Sequence, residues 1–108
     1  MKNSVPEPPA DLTKPQQALW REILDQFEVS DAASLRVLHV GLQALDRAES
    51  ARRRIKKDGQ VVTDRFGQPK AHPLLSVERD ARSQFMLAIQ RLQLDIAAPP
   101  LVRRQEGY

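Results

Sequence analysis

The chain has 108 residues, no cysteine, and a formal net charge of +3 from 17 basic and 14 acidic side chains. This length predicts one domain with a modest core, and the lack of cysteine excludes disulfides, thiolate catalysis and cysteine-ligated zinc. No apolar run reaches the roughly 18 residues that a membrane-spanning helix needs, and the first residues lack the apolar stretch of a secretory signal.

Proline clusters near both ends predict tails outside the folded part. Five of the eight prolines lie there: Pro6, Pro8, Pro9, Pro99 and Pro100. We expect a disordered Pro-rich tail at 1–11, a helical domain at 12–96, and a flexible C-terminal tail at 97–108. Neither tail has a periodic apolar pattern, so we expect both to be dispensable for folding.

The first predicted element is an amphipathic helix at about 14–28. Thr13 is the expected N-cap, with Gln16 as its capping-box partner and Pro15 in the first turn. The apolar residues of this helix share one side: Leu19, Trp20, Ile23, Leu24 and Phe27.

A longer helix is predicted at 31–57, capped by Ser30 or Asp31 and ended by Asp58-Gly59. It carries a leucine stripe and a second stripe of mostly small residues. One stripe can pack on the chain's own helices, which leaves the second for a neighbouring subunit. The alternative is that the third helix covers it. The predicted oligomer interface comprises Val37, Val40, Ala44, Ala48, Ala51 and Ile55.

The second half of this helix is strongly basic. Residues 47–57 hold six bases and one acid, and residues 47–108 as a whole hold thirteen bases against seven acids. Favourable placement of bases at a helix C-terminus explains only part of this excess. We therefore predict a phosphate-binding surface. Its members are Arg47, Arg52, Arg53, Arg54, Lys56 and Lys57, with Arg65 and Lys70 of the next segment as weaker candidates.

A β-branched run and a turn-prone Asp-Arg-Phe-Gly sequence predict a small hairpin-like loop at about 60–70. His72-Pro73 then begins the third helix, at about 74–93. The fold class expected from these elements is all-α, with three main helices and one small hairpin.

No catalytic constellation is visible in the sequence. The two histidines, His39 and His72, are far apart, and no phosphate-binding glycine motif is present. Asp46 and Glu49 are expected to pair with basic neighbours on their own helix, and His72 to orient a turn. We expect no enzyme activity, no metal site and no cofactor.

Taken in order, several residues resemble those of the phage terminase small subunits over about residues 6–96. The most specific stretch begins at Asp46-Arg47, continues through Gly59, Asp64 and Gly67, and ends at His72-Pro73. The chain departs from the resemblance near its end, where Gln93 replaces a glycine that is frequent in the family and Ile96-Ala97-Ala98 delays the prolines.

The resemblance implies a non-catalytic protein of the host bacterial cytoplasm. Such subunits assemble as homo-oligomeric rings, bind double-stranded viral DNA, and recruit the large terminase subunit, which carries the ATPase and the nuclease. Two alternatives remain: a helical adaptor whose basic helix contacts an acidic protein, and a DNA-binding regulator. A helix-turn-helix, which a small repressor would need, is not evident.

Overall fold

The computed structural model describes residues 5–94, which form three helices and one two-stranded sheet. In chain order these are α1 (Lys14–Gln26), α2 (Ala32–Asp58), β1 (Val61–Thr63), β2 (Pro69–Ala71) and α3 (Leu74–Arg91). The strands pair antiparallel, with Val62 opposite Lys70. The prediction of three helices and a small hairpin is confirmed.

Helix α2 begins and ends at the predicted signals. The Asp31 carboxylate accepts a hydrogen bond of 2.9 Å from the backbone N–H of Ser34 and so caps the N-terminus. At the other end, Gly59 adopts a φ of +90° and its N–H donates to the Ile55 carbonyl at 2.7 Å. A residue with a side chain would be strained at this φ, so the glycine fixes where α2 stops.

Helix α3 runs antiparallel along α2. The pairing is marked by Arg52 against Glu78, Arg47 against Gln84, and Gly41 against Ala88. A Cβ atom at Gly41 would lie only 2.6 Å from the Ala88 Cβ. The absence of a side chain at Gly41 therefore allows the two helices to approach closely.

This packing corrects the predicted oligomer interface. Four of its six residues are buried inside the protomer, because α3 covers the small-residue stripe of α2: Ala44, Ala48, Ala51 and Ile55. The alternative, in which the third helix covers that stripe, describes these four residues correctly. Val37 and Val40 retain accessible surface.

The main core lies between α1, the first half of α2 and the end of α3. Trp20, Leu24 and Phe27 pack there with Leu38 and Leu42 of α2. Helix α1 ends at Gln26 rather than 28 because Phe27 is extended, with φ −130° and ψ 149°. The extended backbone places the side chains of both Phe27 and Val29 in the buried set.

The described part of the N-terminal segment is held against the helices, in contrast to the predicted disorder of 1–11. The Trp20 indole donates to the Pro6 carbonyl at 3.0 Å. The Asp11 carboxylate contacts His39 at 2.8 Å and accepts from Gln43 at 2.7 Å. Hydrogen bonds from Gln43 and His39 hold the pKa of Asp11 below its usual value. The predicted tail at 97–108 lies outside the described residues.

Helix α3 ends two residues before the predicted boundary, in a Schellman motif. The Leu94 N–H donates to the Ile89 carbonyl and the Gln93 N–H to the Gln90 carbonyl, both at 3.0 Å. Gln93 has a φ of +58°. Gln93, where the chain departs from the resemblance, therefore occupies the position at which a left-handed conformation is required.

Candidate nucleic-acid interface

The predicted phosphate-contacting residues all reach the surface, on the second half of α2 and on the hairpin that follows it. The eight exposed residues are Arg47, Arg52, Arg53, Arg54, Lys56, Lys57, Arg65 and Lys70. They divide into side chains bound to other residues and side chains without such contacts.

Three of the arginines are engaged within the protomer. Arg47 donates to Gln84 at 2.7 Å, and Arg52 lies 3.8 Å from a Glu78 carboxylate oxygen. Arg54 forms an i,i+4 ion pair of 2.8 Å with Asp58. All three guanidinium groups remain exposed, but each has a partner that competes with a phosphate.

Arg53, Lys56 and Lys57 differ from these arginines. Within residues 5–94 they make no ion pair and no side-chain hydrogen bond, and all three are exposed. At about 100° per residue they occupy the face of α2 opposite the buried Ala51 and Ile55. We call these three residues the open basic face. Their charge is available to an anionic partner without breaking a contact inside the protomer.

The hairpin connection is tightly hydrogen-bonded. The Gly67 N–H donates to the Asp64 carbonyl at 3.0 Å, and the Asp64 N–H donates to the Gln68 carbonyl at 2.8 Å. Gly67 has a φ of +81°, as expected for a type I turn followed by a bulge. The Asp64 carboxylate also accepts from the N–H groups of Phe66 and Gln68, at 2.8 and 2.9 Å.

His72 joins the hairpin to both neighbouring helices. Its side chain is only 6% exposed. Nδ1 accepts from the Leu74 N–H at 3.0 Å, so the proton is assigned to Nε2, which donates to Asp58 at 3.0 Å. The His72 N–H also extends the hairpin by donating to the Gln60 carbonyl at 2.8 Å. This confirms the prediction that His72 orients a turn.

The same contact affects the electrostatics of the end of α2. Hydrogen bonds from His72 and then Arg54 hold the pKa of Asp58 below its usual value. Asp58 therefore remains a carboxylate near neutral pH. Its negative charge is paired with Arg54 and His72, and so it does not neutralise the positive charges of the open basic face.

A second polar cluster joins the start of α1 to the middle of α2. Gln16 is only 3% exposed, and its amide donates to Asp46 at 3.0 Å and to Glu49 at 2.9 Å. Thr13 also donates to Asp46 through its N–H and its hydroxyl. The expected capping box of Thr13 and Gln16 is therefore wrong, and so is the expected pairing of Asp46 and Glu49 with basic neighbours. The capping group comes from α2 instead.

Sequence reasoning missed an apolar groove between α2 and α3. The groove has a volume of about 310 Å³ and lies between Val37 and Val40 on one side and Leu87 on the other. Val40 is 47% exposed and Leu87 48%. Arg36, Gln84 and Arg91 form its rim. The 3.6-residue periodicity of α3 assigns Leu87 to the outer side of that helix, but it does not show that Val40 lies beside it.

The described part of the chain contains no cluster of three or more His, Asp or Glu side chains that could hold a metal ion. None of the helices within residues 5–94 combines the length and apolar character needed to cross a membrane.

Comparison with known proteins assigns the family. The family model described as phage terminase, small subunit, matches residues 17–105. No curated protein and no solved structure gives a significant match. The matched region includes α2, α3, the hairpin, the open basic face and all of α1 except its first three residues. The chain therefore belongs to the phage terminase small-subunit family, which has a role in phage DNA packaging and is generally the non-catalytic component of the terminase.

Proposed function

We propose that this protein binds duplex viral DNA as a homo-oligomeric ring and brings the large terminase subunit to it. The observation that carries the proposal is the open basic face. In a chain of this family, Arg53, Lys56 and Lys57 present three uncompensated charges beside a hairpin that carries Arg65 and Lys70.

Such a surface suits binding to the DNA backbone rather than reading of base edges. Lysine and arginine neutralise phosphates and release condensed counterions, so the affinity does not require a particular sequence. Each protomer offers few lysine and arginine side chains without a partner, and a single copy would therefore bind DNA weakly. Repetition of this surface around a ring would strengthen binding through avidity.

The groove between α2 and α3 is the proposed contact between subunits. It retains Val37 and Val40 from the predicted interface and adds Leu87, whose apolar surface is uncovered in a single protomer. Exposed apolar side chains grouped in a concave site favour burial against a partner. The buried residues of the small-residue stripe, Ala44 to Ile55, would then stabilise the protomer and not the ring.

The adaptor alternative rests on the same charges, since an acidic protein surface could bind the open basic face. The proposed experiment has two steps. Light scattering gives the oligomeric state, and a duplex DNA shift assay is then titrated with salt. A closed oligomer whose affinity falls steeply with salt supports packaging. A monomer or dimer that binds no duplex even at low salt, but binds an acidic protein other than the large subunit, supports the adaptor.

A further inference from the structure

Phe66 at the hairpin tip is not part of the hydrophobic core of the protomer. Its side chain is 74% exposed, and Val61 on β1 is 64% exposed. The Arg65 guanidinium lies 5.1 Å from the centroid of the Phe66 ring, within the range of a cation–π contact. A ring that remains mostly in water adds little to the stability of the protomer, so the turn itself does not require phenylalanine at this position.

The tip is fixed rather than loose. The Asp64 carboxylate holds the Phe66 and Gln68 N–H groups, and Gly67 adopts the positive φ that this turn requires. Arg65 and Phe66 are therefore presented at its two central positions. A preorganised side chain loses less conformational entropy when it binds.

The base of the hairpin is fixed as well. His72 binds Gln60 through its backbone and Asp58 through its ring, which connects the hairpin to the end of α2. The tip and the open basic face therefore belong to one rigid unit. A partner that contacts Lys56 and Lys57 would meet the hairpin in a defined orientation.

The charge around the tip favours a nucleic acid as that partner. The basic residues nearby in the chain are Arg65 and Lys70, while the one acidic side chain of the turn, Asp64, already accepts two backbone hydrogen bonds. A two-stranded β-ribbon fits a groove of B-form DNA. In proteins that bind the minor groove, apolar side chains such as phenylalanine can wedge between base steps and partly unstack them.

We propose that the hairpin enters a groove of duplex DNA and that Phe66 inserts against a base step, while the open basic face contacts flanking phosphates. This inference rests on the proposed DNA-binding function and adds an uncharged contact to it. Phe66 would then contribute affinity that does not depend on salt, unlike the lysines and arginines.

The test compares Phe66→Ala with Val61→Ala, a smaller truncation of another exposed apolar side chain on the same hairpin. Duplex affinity is measured across a salt series, and DNA unwinding is measured as the change in linking number of a plasmid relaxed by a topoisomerase. We expect Phe66→Ala to lose about tenfold in affinity at every salt concentration, since stacking of an aromatic side chain on a base is worth about 5- to 150-fold. Its salt slope should stay unchanged, its unwinding should disappear, and Val61→Ala should match the wild type in both assays.

Wild-type affinity and unwinding in Phe66→Ala would overturn the role of Phe66 and leave the proposed function standing. The role of Phe66 in DNA binding would likewise be overturned if Phe66→Ala bound DNA normally but lost binding to the large subunit or failed to assemble. A wild-type protein that bound no duplex at low salt would overturn the proposed function and this inference together.

Discussion

The carboxylate of Asp46, in the middle of α2, accepts hydrogen bonds from both the backbone N–H and the hydroxyl of Thr13, immediately before α1. A helix N-terminus leaves backbone N–H groups without partners, and a negative charge there is favourable. Here the charge comes from another helix. The contact therefore stabilises the start of α1 and fixes its position on α2 at the same time.

Replacing Asp46 with alanine should destabilise the protein by about 1–3 kcal/mol, because the buried Gln16 amide loses an acceptor. Urea unfolding followed by circular dichroism measures this loss. Asp46→Asn should recover part of it, since an acceptor oxygen remains. Glu22→Ala, which removes an exposed carboxylate from α1, is the control and should stay near the wild type. Equal stability of Asp46→Ala and the control would show that the cluster contributes nothing.

Replacing Gln93 should stabilise the protein, in contrast to replacing Asp46. At a φ of +58° the backbone of a residue with a Cβ atom is strained, whereas glycine adopts this conformation readily. Gln93→Gly should raise the free energy of unfolding by about 1 kcal/mol, measured by chemical denaturation. Gln90→Gly, inside α3, should lower it by about the same amount. A destabilised Gln93→Gly protein would mean that the Gln93 side chain makes contacts that outweigh the strain.

Asp58 predicts a dependence of stability on pH. Its pKa in the folded protein is below the usual value because of the hydrogen bonds from His72 and then Arg54, so the folded state takes up this proton at lower pH than the unfolded chain. The stabilisation is therefore complete above the ordinary pKa of about 4 and is lost as the pH falls through the folded pKa. Urea unfolding below about pH 5 should show a steeper loss for the wild type than for Asp58→Asn. Parallel pH profiles would contradict this.

The groove gives a prediction for assembly. A charge at its centre, in Leu87→Glu, should oppose burial against a second protomer and lower the molecular mass measured by light scattering. The helical circular dichroism should persist, since Leu87 is already half exposed. Val61→Glu, an apolar-to-acid change on the hairpin, should assemble as the wild type does. If Leu87→Glu forms the wild-type oligomer, the subunits meet through another surface.

The sequence predicts the elements of this fold well because their signals are local. Asp31 and Gly59 mark the ends of α2, and Gly67 marks the hairpin turn, without help from distant residues. The predictions fail where a contact with a residue distant in the sequence determines the local structure. Phe27 leaves α1 because the core binds its side chain, and Pro6 is held because the Trp20 indole, fourteen residues later, donates to its carbonyl.

For the candidate site, too, local features can be predicted from the sequence and long-range contacts cannot. A basic run on a helix is visible in the sequence, and all of its members are exposed. Which of them are uncompensated is not visible, because Glu78 and Gln84 reach α2 only after α3 has packed against it. The small-residue stripe is subject to the same limit. Its periodicity shows that a surface is covered, but not which helix covers it.

The salt dependence of duplex affinity in two charge-matched double variants decides whether the open basic face binds DNA. Arg53→Ala/Lys57→Ala removes one arginine and one lysine from the open basic face, and Lys14→Ala/Arg21→Ala removes the same two residue types from α1. We predict weaker binding of the first variant to every duplex, with a log–log salt slope flattened by about 0.9 for each lost phosphate contact, and wild-type behaviour of the second. Equal losses in both variants, or none in the first, would show that the open basic face is not where DNA binds.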